Sequence, residues 1–391
     1  MYDYIIIGGG VTGLYLGYRF RTNVLKQDVK YLILEQDSEA GGRMQQVDFH
    51  GDIIQLGAGV IRDSDKNVLD LVHELELPYR TFDSTYQYNI PGYNKKWFNT
   101  VLDTLKVSSK LSMKKVLGDN FTRFSKYCNY TDFFREDSSI TKKNYPFDDI
   151  KHSTKTFHSL QGGYCKLTEK LAKYSSSLSV LKTSCKVSKI IYKNGEYIVV
   201  CVYTSNGKYK EYKCKHVIVT TTITALRQIE FEIPDLQIVN LALRYIRPNR
   251  FLRMYTYHDE VSVDKPVLTD SSFKQVIPIS KNVIMSAYCD NTNSLETLDT
   301  ITSMDNNELT GKINNILHPY GTVTQVKDRI LKFWECGTHY YKPGYPVKEN
   351  FLSENGLSIV GEIVSFEQGW VEGSIHSANA FLEFLNLNLK R

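Results

Sequence analysis

The chain has 391 residues, 42% of them hydrophobic and 12% aromatic, with a formal net charge of +5. That length exceeds one ordinary core and requires two domains or one domain with a large insertion. The composition excludes a disordered chain, the small charge argues against nucleic acid as a partner, and no apolar run is long enough to span a membrane.

The first element is the apolar run "DYIIIGG", residues 3–9. Continuous apolar residues predict a strand buried on both faces, not a signal peptide, because the run feeds directly into glycines. Gly8, Gly10 and Gly13 follow in G-x-G-x-x-G spacing, and Val11 to Phe20 read as the helix behind them. This pattern suits a pyrophosphate held at a helix N-terminus, where Val11 and Thr12 offer backbone N–H groups. A second strand, "VKYLILE", ends in Glu35, where a carboxylate can accept both hydroxyls of an adenosine ribose. Next come "SEAGGRM", with Gly41, Gly42 and Arg43, and "GDIIQLGAGVI", with Gly57, Ala58 and Gly59. Paired small residues allow close backbone approach to a flat ring system, and Arg43 offers a planar fork to phosphate.

Residues from about 80 to 150 read as a helical insert, on which Lys106, Lys110, Lys114 and Lys115 form an exposed basic face. Further on, "KNGE" at 193–196 and "SNGK" at 205–208 are hairpin turns between alternating strands. "NLALRYI", "FLRMYTYH", "QVIPIS" and "NVIMSAYCD" are candidate strands of a second sheet between 238 and 290. Arg244, Arg247, Arg250 and Arg253 recur every three residues and read as a solvated face, with an acidic substrate as the alternative. Residues 306–321 predict a helix stopped by Pro319 and Gly321. In the tail, Ile375, Ala378, Leu382 and Leu385 recur at helical spacing and predict a helix with one buried face. Seven cysteines without C-x-x-C spacing predict free thiols in a reducing, cytoplasmic setting and no metal site.

The glycine fingerprint, Glu35, "GGR" at 41–43 and "LGAG" at 56–59 together resemble the flavin-containing amine oxidase superfamily, which includes monoamine and polyamine oxidases and protoporphyrinogen oxidase. Three later segments agree with it: "LQGGYCKLTEKLA" at 160–172, "LKTSCKVSKI" at 181–190 and the tail from 357 to 385. The resemblance implies an α/β fold. It divides the chain into a discontinuous Rossmann-like FAD domain (1–75, 155–235 and 325–391) and an α+β substrate domain (76–154 and 236–324). It implies that Val187 pairs with the adenine, that Gly361 and Glu362 meet the phosphate and ribityl region, and that Val371 and Gly373 open a helix under the flavin ring.

The implied reaction is hydride transfer from a small amine or polyamine to the flavin, with molecular oxygen as acceptor. Trp370, in "GWVEG", stands where the family places one aromatic wall, although composition alone favours a core tryptophan. Trp334 is a candidate for flavin packing, and His339, Tyr340 or Tyr341 for the second wall. Two departures stand out. The family's lysine after "HVIVTTTITALRQIEF" is missing, with Arg227 nearby and Thr222 near the usual proline, which puts efficient oxygen chemistry in question. Cys336 does not sit in the context that tethers flavin in some relatives, so the FAD is expected to dissociate. The alternatives are a desaturase-like dehydrogenase and an FAD-bearing structural protein. Oligomeric state stays open.

Overall fold

The computed structural model describes residues 1–22, 28–104, 108–128, 139–140, 154–176, 180–346 and 349–388. Two large sheets organise it. The nine-stranded sheet has a parallel centre: strand Tyr2–Ile7 lies between Tyr31–Leu34 and Tyr209–Val219, running parallel to both. Tyr209–Val219 leaves an antiparallel hairpin with Glu196–Tyr203 and then also pairs in parallel with Leu357–Val360. The sequence tail thus joins the sheet built by the head.

Alternation in the first strand explains why this sheet is covered on both faces. Ile5 and Ile7 pack into one core with Val217, Val219 and Ile359, while Tyr4 and Ile6 pack into the opposite one with Leu14, Ile218 and Ile375. Helix Val11–Arg21 lies in the second core, against helices Cys165–Ser176 and Val371–Asn388. It approaches the sheet closely because Gly13 has no side chain: a Cβ there would stand 2.0 Å from the Gly8 carbonyl oxygen.

The six-stranded sheet runs in the order Asp328–Tyr341, Ile246–Tyr257, Val283–Asp290, Gln275–Pro278, Val267–Thr269, Gln87–Asn89. Helices Asn291–Thr302 and Asn306–Leu317 cover one face through Ile301 of the first and Leu309, Ile313 and Leu317 of the second. A three-stranded sheet of Ile61–Arg62, Thr154–Leu160 and Tyr79–Thr85 stands beside it. The α/β fold expected from the sequence is therefore present.

Several local expectations change. "NLALRYI" is not a strand: Gln237–Tyr245 is helical, with Ile238, Val239 and Ala242 buried on one side, and the strand begins only at Ile246. The insert expected to be helical also contains strand Tyr79–Thr85, which pairs along its full length with Thr154–Leu160. Much of that insert, Lys106 included, lies outside the described residues, and Lys110 falls in strand Ser108–Ser112, not in a helix. The 193–196 turn forms as expected, with Asn194 and Gly195 both at positive φ.

Candidate active site

A cavity of about 1360 Å³ runs along the carboxyl ends of the parallel strands and onto the floor of the six-stranded sheet. In open α/β sheets ligands bind in the crevice at such strand ends. The volume is above the range of about 300–1,000 Å³ usual for drug-sized ligands, so it has room for an extended one.

One end is lined by Gly8, Gly10, Val11, Thr12, Glu35 and Val187. Helix Val11–Arg21 begins there with Gly10 as N-cap, with no side-chain cap and no acidic residue in its first turn. Its N-terminal N–H groups favour an anion in the cavity. The loop carrying Gly41 and Gly42 is fastened to the glycine turn by the Gly41 N–H, which donates to the Gly9 carbonyl at 2.9 Å. Glu35 is 6% exposed. Its carboxylate accepts the Gly9 N–H at 2.5 Å and the Asp37 N–H at 2.9 Å. Burial raises its pKa against the pull of those two amides. A buried carboxylate held by backbone donors at a cavity wall retains acceptor capacity for hydroxyl groups.

The middle section carries Gly42, Arg43, Gly57, Ala58, Gly59 and Glu362. Gly57 is fixed by space, because a Cβ would fall 1.7 Å from the Arg43 carbonyl oxygen. Arg43 departs from expectation. Its fork serves the protein instead of standing open for phosphate: Nη1 donates to the Gly337 carbonyl at 2.7 Å and Nη2 to Glu362 at 2.9 Å. Glu362 is a knot between three segments. It accepts the backbone N–H of His339 (3.0 Å) and of Gly369 (2.8 Å), and its second oxygen accepts His339 Nδ1 (2.6 Å) besides Arg43. Burial alone would raise this carboxyl, and the hydrogen bond from the His339 ring and the charge of Arg43 reverse that and hold it well below the usual carboxylate range.

His339, Tyr340 and Tyr341 are corrections, since none of them lines the cavity. His339 is buried beneath the wall. Burial opposes a charge on its ring, while Cys336 and Glu362 favour one. The Ile223 backbone N–H decides the matter: it donates to Nε2 at 3.0 Å, which leaves the single ring proton on Nδ1, toward Glu362. Tyr341 stacks on Tyr345 in the core of the nine-stranded sheet, with its hydroxyl on the Ser365 carbonyl. Tyr340 is buried away from the cavity. Arg227 is exposed at the end of the short helix Ile223–Leu226 and also stays off the wall. Thr222 caps that helix, accepting the Ala225 N–H, and lines the cavity with Thr220, Thr221 and Thr224. Gly13 and Gly361 serve packing: Gly361 is backed by Thr12, where a Cβ would stand 2.8 Å from its Oγ1.

The far end is aromatic. Trp334 and Trp370 line it as expected by position, and Val371 lies beside them. Trp334 donates its indole N–H to the Leu56 carbonyl at 2.7 Å. Trp370 carries the Arg62 guanidinium 4.0 Å from its ring centroid. Sequence reasoning missed Phe82, Tyr86, Phe157, Phe251, Tyr255 and Tyr288 on this lining, while Arg253, read as part of a solvated face with an acidic substrate as the alternative, lines it too. Strand alternation was the available signal: Phe251, Arg253 and Tyr255 share one face, and so do Phe82, Ser84 and Tyr86.

FAD suits this donor set. Buried Glu35, the uncapped helix start and the narrow glycine-lined section suit an adenosine, a pyrophosphate and a flat ring in succession. Comparisons with known proteins agree. Residues 6–75 match the sequence model of the NAD(P)-binding Rossmann-like domain, and residues 110–251 that of the flavin containing amine oxidoreductases. No curated protein sequence matches the chain. Among solved structures, putrescine oxidase bound to putrescine superposes with a TM-score of 0.75 at 10% identity, over 100% of this chain and 99% of that one. Cyclohexylamine oxidase from Brevibacterium oxydans does so with a TM-score of 0.74 at 13% identity, over the full length of both chains. Among the described residues no helix is long and apolar enough to cross a membrane. The chain thus shares the fold of these two amine oxidases over its whole length, and residues 110–251 match the flavin containing amine oxidoreductases in sequence.

Proposed function

We propose that the chain binds FAD non-covalently in this cavity and oxidises a small amine there, with molecular oxygen as the terminal acceptor. The observation that carries this reading is the continuity of the cavity, from the carboxylate of Glu35 to the indoles of Trp334 and Trp370. FAD, when bound, supplies the hydride acceptor. The chain's own residues bind, orient and exclude water. In this reading Gly8, Gly10, Val11, Thr12 and Gly42 hold the pyrophosphate, Glu35 the ribose, and Val187 the adenine edge. Gly57, Ala58, Gly59, Trp334 and Val371 bound the ring, and Trp370 forms one wall of the substrate chamber.

Arg43, Glu362 and His339 act as positioning residues that tie the head loop, the strand Asp328–Tyr341 and the tail together. The cofactor part would comprise 1–75, 155–235 and 325–391, and the substrate part 76–154 and 236–324. Cys336 supports a dissociable cofactor, since its thiol is engaged within the protein, 3.3 Å from His339 Nε2. The turn that in the family carries a lysine here offers threonines, so reoxidation by oxygen is expected to be slower than with an artificial acceptor.

The test is anaerobic mixing of yellow holoprotein with an amine panel, followed by air. Bleaching of the flavin and then peroxide release support the reading. A flavin that no amine reduces overturns it, and a flavin that stays on the denatured polypeptide overturns the non-covalent part.

A further inference from the structure

All the cysteines of the chain are free, and two of them meet. Strands Cys185–Lys193 and Glu196–Tyr203 form an antiparallel hairpin in which Cys185 lies opposite Tyr203 and Val187 opposite Cys201. Side chains alternate along a strand, so Cys185, Val187 and Cys201 share one face, and all three pack into the same core of the nine-stranded sheet. Across the diagonal of this ladder the Cys185 and Cys201 thiols hydrogen-bond to each other. That bond raises the pKa of the Cys185 thiol and lowers that of Cys201. On the next strand Cys214 lies opposite Tyr197, whereas Cys201 lies opposite Lys210, so Cys214 is out of register with the pair.

The pair sits at the nucleotide end of the cavity. Cys185 lines it beside Lys186 and Val187, and its backbone N–H donates to the Glu35 carbonyl at 2.7 Å. Cys201 is fully buried and off the lining. The cavity is thus the route by which a small oxidant meets the pair, and Cys185 is the thiol it meets. The register slips directly after Val187, where Lys189 pairs with Val200 and Ser188 is skipped. A bulge interrupts the ladder locally, so this strand end can shift without unzipping the hairpin.

We propose that Cys185 and Cys201 form a redox-active dithiol, which hydrogen peroxide in the cavity closes to a disulfide and which bound FAD shields by covering Cys185. One thiol proton is lost to water, and the other rests on Cys201 when the Cys185 thiolate attacks peroxide. The S–O bond forms, the O–O bond breaks, and the hydroxide that leaves regains the lost proton as water. The Cys201 sulfur then attacks the sulfenic sulfur while its proton passes to the departing hydroxyl group. The S–S bond forms, the S–O bond breaks, and a second water leaves. The two sulfurs are oxidised and the peroxide is reduced. Diagonal cross-strand partners stand farther apart than a disulfide prefers. Closure therefore draws Cys185 toward Cys201 and moves Val187 with it, and the oxidised site holds the nucleotide less tightly. Only the shielding rests on the FAD reading; the dithiol chemistry is independent of it.

The test treats full-length apoprotein and holoprotein with hydrogen peroxide, blocks them with iodoacetamide and digests them for mass spectrometry. Apoprotein should yield peptides linked through Cys185 and Cys201, and bound FAD should slow the linkage about tenfold. Cys201→Ser should stop at a sulfenic acid on Cys185, which dimedone labels, while Cys185→Ser should leave Cys201 unlabelled. Oxidised apoprotein should bind FAD about tenfold more weakly, and dithiothreitol should restore the affinity. Cys185 and Cys201 that both remain alkylated thiols after peroxide overturn the proposal, and so does a link from either to another cysteine. Equal linkage with and without FAD overturns the shielding and the seating of the nucleotide at this end, and leaves the dithiol itself standing. If Cys201→Ser does not fold, Cys201→Ala and the wild-type linkage decide.

Discussion

Replacing Glu35 with Gln removes one charge and one acceptor from the nucleotide end of the cavity. The carboxylate accepts two backbone donors, Gly9 N–H at 2.5 Å and Asp37 N–H at 2.9 Å. A glutamine keeps a single acceptor oxygen, so its amide faces one of these N–H groups donor to donor. Each hydrogen bond to a charged group contributes about 1.5–3 kcal/mol. Loss of the charge-assisted bonds to the ribose should therefore weaken FAD binding by roughly 10- to 150-fold. The assay is reconstitution of apoprotein with FAD, followed by quenching of flavin fluorescence, with riboflavin as control because it lacks the adenosine.

The pH dependence has a definite sign. Burial raises the Glu35 pKa above its ordinary 4.5, so the folded apoprotein binds the proton more tightly than the unfolded chain. Apoprotein stability from this group is highest below 4.5 and declines as the pH rises through the folded value. FAD affinity runs the other way, since only the ionised group is a pure acceptor: it falls as the pH drops through the same window. Equal FAD affinity in wild type and Glu35→Gln, or an equal loss for riboflavin, would refute the ribose contact.

Three further outcomes follow from the geometry. Glu362→Gln leaves Arg43 without its charge partner, a loss of roughly 3 kcal/mol for a largely buried pair, read as a fall in Tm of about 3–5 °C for a chain of this length. Because the Glu362 carboxyl is held below its ordinary 4.5, its contribution is complete above that pH and is lost as the pH falls through the folded value, so wild type and variant should converge in acid. Gly57→Ala sets a methyl against the Arg43 carbonyl, 1.7 Å from where it must sit. It should lower stability by about 1–3 kcal/mol in chemical unfolding and impair FAD retention, whereas wild-type retention would show that the turn can shift. Trp370→Ala should raise the KM for the reducing amine about tenfold, consistent with a lost aromatic contact worth about 1–2 kcal/mol, with Trp370→Phe partly restoring it; unchanged KM removes Trp370 from the chamber wall.

The parts of the site legible in the sequence are those fixed by local backbone demands. Gly8, Gly10, Glu35, Gly57 and the "GWVEG" turn are recognisable because a turn, a close approach or a strand end constrains the residue type within a few positions. Where the chain crosses between sheets, local pattern fails. Trp334 to Thr338 line the cavity, but the same strand then leaves it: His339 and Tyr340 are buried off the wall, and Tyr341 enters the core of the nine-stranded sheet. A register shift between Asn249 and Phe251 accompanies this change of side, and nothing in residues 333–346 announces it. The arginines spaced by three read as one solvated face, with an acidic substrate as the alternative. In a strand, three residues apart means opposite faces, so Arg250 meets solvent and Glu335 while Arg253 meets the cavity. "NLALRYI" shows the same difficulty at short range, since a brief apolar run fits either period.

The central claim, a single cavity that holds FAD against an oxidisable amine, is tested most directly by the visible absorbance of the purified protein under anaerobic conditions. The account predicts one bound flavin per chain and its full bleaching on addition of one equivalent of a suitable amine. A chain that stays colourless in excess FAD, or one whose flavin no amine reduces, would contradict it.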